Sequence, residues 1–142
     1  MDFINWTAVI VTAFVPLVAG FVYYHPKVLG TAWMQSLGKT EEDFDNSKMG
    51  LTFGISFVLA IVLSWFLKVL IETSHGVMYG GESFHTFQHG ALHGAMFLAF
   101  FCIPVFVTNG MFEQKSAKNY WINIGYWVIV GGIMGGILDA WV

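Results

Sequence analysis

The stretch from Met49 to Ile71, MGLTFGISFVLAIVLSWFLKVLI, decides the fold. Its one charged residue is Lys68. A bilayer's hydrocarbon core is about 30 Å thick, and a helix needs about 20 residues to cross it. Three more runs share this character, at about Asn5 to Tyr24, His85 to Thr108 and Asn119 to Trp141. None alternates apolar and polar residues as a barrel strand does. Lipid tolerates no unpaired backbone, so all four read as helices. The expected fold is all-α, a polytopic membrane protein with its four transmembrane helices in one bundle. A single domain covers residues 1–142, with helices near 5–24, 49–71, 85–108 and 119–141 and a loop at 25–48.

Composition points the same way. Only 11% of the chain is charged, against about 25% in an ordinary soluble domain. Mean hydropathy is +0.66. All six basic residues are lysines and the net charge is −3. Nucleic-acid partners, which demand a basic footprint, are excluded. The single cysteine, Cys102, reads as an inert thiol in an apolar run. The first apolar run has no lysine before it and no small-residue cleavage site after it, so it reads as a retained helix.

Lysine placement sets the expected orientation. Lys27, Lys39, Lys48, Lys115 and Lys118 fall on one side of the bundle, and Lys68 is the only lysine assigned to the other. The positive-inside rule puts the richer side in the cytoplasm and both termini on the outer, periplasmic side. Asp2, Glu72, Glu82 and Asp139 share that outer side.

The loop carries its own signals. Thr31 to Leu37 reads as a short interfacial helix anchored by Trp33 and Met34 and ended by Gly38. Thr40 before Glu41, Glu42 and Asp43 reads as a capped turn, with Phe44 tucked back. Gly38-Lys39-Thr40 is not a phosphate-binding loop, because Trp33 stands where a glycine is required. Tyr23, Tyr24, Trp33, Tyr120, Trp121 and Trp141 read as an interfacial belt. Pro16 and Pro104 are expected to bend the first and third helices.

Chemistry is concentrated in one place. His85, His89 and His93 recur every fourth residue, and Glu82 extends the row. That spacing stacks them on one helical face. Ionisable groups in an apolar span are functional candidates by default. Two adjacent histidines suit zinc or copper, with Glu82 or Asp139 completing the ligands. Haem is a weaker fit, since no Cys-x-x-Cys-His motif is present. A proton path is another reading, but Met96, Phe97, Phe100 and Phe101 follow His93 and close the route along that helix. A third is polar packing, with the imidazoles bonded across helices to Asn, Tyr or Asp139. Asp139 itself reads as a snorkelling or packing acid, and His75 and His25 as surface or interfacial groups. Ser83 has no orienting acid or oxyanion loop, so no hydrolase is indicated.

Glycines recur at four-residue spacing: Gly50 and Gly54, Gly90 and Gly94, Gly131 and Gly135, Gly132 and Gly136. Such pairs let helices approach closely in lipid. They serve packing within the bundle or contact between copies, the Gly131–Gly136 face being the best candidate for the latter.

Val22 to Trp33, VYYHPKVLGTAW, followed by Gly38-Lys-Thr-Glu-Glu-Asp43, resembles the domain of unknown function 1761 family. Phe112 to Lys115, Ile122 to Tyr126, and Met134-Gly135 are similar to it too. The likeness covers nearly the whole chain and rests on the order and spacing of these pieces. It implies a four-helix protein of the bacterial inner membrane and no activity. The histidine stripe is not general to that family, so its role rests on physical argument. The sequence favours a non-enzymatic accessory subunit or homo-oligomer in the lipid bilayer. The alternatives are a metal-binding protein using His85, His89 and His93, or a small redox or proton-transfer protein.

Overall fold

The computed structural model describes residues 4–78 and 85–141, without the side chains of 75–78. Asp2, Glu82, Ser83 and the His75 side chain lie outside the described residues. Among those described, the chain is helical. The elements are α1 (Trp6–Thr12), α2 (Val15–Tyr23), α3 (Thr31–Ser36), α4 (Met49–Met78), α5 (Phe87–Phe112) and α6 (Ala117–Ala140). Four spans are long and apolar enough to cross a membrane: Trp6–Tyr23, Met49–Ser74, Phe87–Phe112 and Ala117–Ala140. Their outward surface is what lipid requires, with Phe21, Phe100 and Phe112 all largely exposed.

α1, α5 and α6 begin where side chains take up orphan N–H groups. Asn5 accepts from Ala8 N at 3.1 Å. Thr86 accepts from His89 N at 3.2 Å and Ser116 from Asn119 N at 3.3 Å. The first span differs from its expectation as one helix, because Ala13 and Phe14 separate α1 from α2. Pro16 is the cause, since it has no N–H to give the Thr12 carbonyl. α5, by contrast, runs through Pro104 without a break.

Between α2 and α4, a π-helical turn over Pro26–Gly30 leads into α3. Gly38, at φ +66°, reverses the chain. Thr40 and Asp43 form a capping box on the turn Glu41–Asp43. Phe44 stacks on Trp33 at 5.7 Å, and the Lys39 ammonium lies 5.4 Å from the Phe44 ring.

The core is Ile4, Ala8, Val9, Leu67, Tyr126, Val130, Met134 and Leu138. α6 sits centrally, touching α1, α2, α4 and α5. Its most extensive contact is with α5. There, a methyl group on Gly90 would strike the Gly135 carbonyl, and one on Gly94 the Gly131 carbonyl. Gly136 is covered by the Phe87 ring. The Gly131–Gly136 face is therefore filled by α5 and is not open to a second copy. Gly132 makes only ordinary contacts, with Ala91 and Ala95. Gly50 and Gly54 have open space around them, because the first half of α4 stands clear of the bundle.

Two predictions follow from this architecture. Gly94→Ala should lower unfolding stability by about 1–3 kcal/mol through overpacking, whereas Gly54→Ala should leave it unchanged; thermal unfolding in mild detergent compares them. The Asp43 carboxyl is held below the usual aspartate range, first by the Thr40 N–H and then by the Thr40 hydroxyl. The depressed value means this turn is tied down above the ordinary carboxylate range. It should loosen as pH falls through the native value, seen as loss of the Thr40 amide's hydrogen-bonded NMR shift.

Candidate functional site

The site forms where the last turn of α6 meets the first turns of α5. Asp139 is fully buried, one residue before α6 ends. Its carboxylate is shared by two imidazoles. His85 Nδ1 lies 3.2 Å from Oδ1, and His89 Nδ1 lies 2.7 Å from Oδ2. His93, one turn deeper, is 5% exposed and packs its ring 4.4 Å from that of His89. On its far side Phe97 closes the stripe at 5.8 Å. Asp139 therefore does not snorkel. The α5–α6 contact holds it inside, and a Cβ on Gly90 would collide with the Asp139 side chain.

With the carboxylate ionised, both imidazoles donate Nδ1–H to it. That fixes their tautomer and puts the basic lone pair on Nε2.

A second ionisable group stands beside this one. Lys68 of α4 is fully buried, and its ammonium donates to the Leu138 carbonyl at 2.9 Å and pairs with Glu72 at 2.6 Å. Leu138 belongs to the final turn of α6, whose carbonyls lack helical donors. A cation at that end also meets the negative end of the helix dipole. Lys68 is thus held inside the bundle. Its i, i+4 spacing to Glu72 was readable in the sequence, but the bond to Leu138 spans 70 residues and was not.

The opposite end of α6 carries a second polar network that the expected aromatic belt did not reveal. Tyr126 donates to the Pro16 carbonyl at 2.6 Å, and Tyr23 to the Ile122 carbonyl at 2.9 Å. Tyr24 donates to Asn123 Oδ1 at 2.8 Å. Asn123 Nδ2 lies 3.5 Å from Asn119 Oδ1, and Asn119 Nδ2 donates to Ser36 Oγ at 2.9 Å. Trp121 and Trp141 remain exposed, as belt residues are.

Among the described residues, no group of three or more His, Cys, Asp or Glu is arranged to hold a metal ion. His85 and His89 turn their Nδ1 atoms to Asp139, the His93 ring packs on that of His89, and Glu82 lies outside the described residues.

Removing Asp139 deprives both imidazoles of their acceptor. Asp139→Leu should cost roughly 3–5 kcal/mol of stability, the range for breaking a buried ion pair. Asp139→Asn keeps one oxygen acceptor and should cost less. Unfolding in detergent tests this, and a Leu variant as stable as the parent contradicts the assignment.

No curated protein matches the chain, and no solved structure does. A family model described as "Protein of unknown function (DUF1761)" matches residues 7–139. The order of motifs across the chain and the four spans agree with that match, and the chain belongs to this family.

Proposed function

We propose that this is a non-enzymatic membrane protein that binds and transfers a proton at His85, Asp139 and His89. One observation carries the reading: a fully buried carboxylate holds two imidazoles, one on each oxygen. Histidine is the side chain that changes charge near neutral pH. Lys68 is already matched by Glu72, and both oxygens of Asp139 face an imidazole. One added proton makes an imidazolium–carboxylate–imidazole set with no net charge, and its release restores a single negative charge. A role in packing alone accounts poorly for this expense, because apolar side chains of similar volume would fill the space without desolvating charges.

The five lysines outside the bundle support a periplasmic position for this end of it, in a bacterial inner membrane. Self-association, or docking to a larger complex, has one open glycine pair to use among the described residues, Gly50 and Gly54.

A metal reading is second. Carboxylate–imidazole pairs also orient the histidines of metal sites, and His85 and His89 each have one. Zinc or copper would need a further ligand, from Glu82 or another copy. Stoichiometric metal on the untagged protein, lost in His85→Gln/His89→Gln, would favour this reading over the first.

Infrared difference spectra of the protein in liposomes, taken between about pH 8 and pH 5, test the proton reading. Imidazole ring bands and a carboxylate band should change together. Asp139→Asn should remove the carboxylate component, and His85→Gln/His89→Gln should abolish the proton uptake. Carboxylate bands that ignore pH, or unchanged uptake in the double variant, would count against it.

A further inference from the structure

Two buried hydroxyls are left over from every contact described so far. Thr12 Oγ1 of α1 and Ser64 Oγ of α4 are fully buried and have no hydrogen-bond partner among the described residues. A buried hydroxyl without a partner is costly, and in a native structure it marks a missing water or ion. Neighbouring hydroxyls on α4 behave differently. Thr52, Thr73 and Ser74 all donate back to carbonyls of their own helix, at 3.1, 2.8 and 2.7 Å. Ser64 does not. Thr12 has a second deficit at the same place, since Pro16 gives its carbonyl no N–H.

Their positions in the bundle are informative. Ser64, Lys68 and Glu72 are spaced by four, so they share one face of α4 at steps of ~6 Å. Ser64 is therefore one turn inward from Lys68. α1 packs against α4, and the Phe14–Phe57 ring contact at 4.6 Å fixes their antiparallel register. That register puts Thr12 roughly one further turn inward from Ser64. Another ~6 Å from Thr12 is Pro16, whose carbonyl accepts from Tyr126. The two hydroxyls thus fall in the apolar gap between the His–Asp–Lys cluster and the Tyr–Asn–Ser network. From Asp139 to Asn119 along α6 is ~30 Å, the thickness of the hydrocarbon core.

We propose that Thr12 and Ser64 hold internal water, and that this water joins the two polar clusters into one proton path through the bundle. The proposal rests on the proton-binding reading of the His85–Asp139–His89 site. Water is the occupant that fits. The Lys68 ammonium has a third N–H beyond its two acceptors, which disfavours a metal cation one turn away. Water can accept from that N–H, donate to the Thr12 carbonyl and pair with both hydroxyls. Glu72 offsets the ammonium charge, which lowers the barrier to a passing proton. Each step breaks one O–H or N–H bond and forms another, so a proton moves without oxidant or reductant. The route closed on α5 below His93 is supplied by α4 and α1.

The full-length protein in liposomes with trapped pyranine tests the path, with a valinomycin-set potassium potential as driving force. The parent should acidify the lumen faster than protein-free vesicles. The near-isosteric Thr12→Val/Ser64→Ala variant should slow this at least about ten-fold, on the general expectation for losing a positioned proton carrier. Water-edited solid-state NMR on the parent should show magnetisation reaching Thr12 and Ser64 as fast as His89, and much faster than the buried controls Val9 and Ala60. Hydroxyl sites as dry as Val9 and Ala60, or flux indifferent to the double variant, would overturn the path. If the coupled imidazole–carboxylate infrared signal survives in that case, the path alone has failed. If that signal is absent too, the site reading fails with it.

Discussion

Everything at the candidate site depends on how closely α5 approaches α6. Gly90 and Gly94 press against the backbone carbonyls of Gly135 and Gly131, with no room for even a methyl group between them. In lipid there is no hydrophobic drive to bring helices together, so dispersion across a smooth glycine face has to supply the contact. This crossing buries Asp139 and sets His85 and His89 on its two oxygens. A looser crossing would leave room for lipid or water beside the carboxylate, and the two imidazoles would no longer reach it.

The buried charges have to be satisfied from inside the chain. Lys68 solves this with the free carbonyls at the end of α6 and with Glu72 one turn along its own helix. Asp139 solves it with two ring N–H groups. Each arrangement uses an end or a first turn of a helix, where backbone groups and side chains can meet. The cluster therefore gathers at one end of the bundle, while Val130 and Met134 fill the middle of α6 with apolar volume.

At the other end, the loop is tied to α6. Tyr24 and Ser36 bond to Asn123 and Asn119, and Trp33 packs edge-on against Tyr24 at 5.3 Å. Tyr23 and Tyr24, in the stretch that carries the family resemblance, are thus among the residues that fasten α2 to α6. Their polar ends stay paired within the protein, and their apolar rings fill the space between the helices.

The sequence by itself determined the four spans, their helical nature, the turn at Thr40–Asp43, and the histidine stripe. These are local properties: hydropathy over some twenty residues, side chain to nearby N–H, and a four-residue period. Only the tertiary structure decided what the stripe faces, that Lys68 is buried rather than exposed, that the Gly131–Gly136 face is spent within the chain, and that Tyr126 and Asn123 form a network. Those are contacts between residues far apart in the chain, from 37 positions for Gly94 and Gly131 to 110 for Pro16 and Tyr126. A helical period names the residues on a face, but the partner of that face is set by how whole helices cross, and no local pattern encodes a crossing.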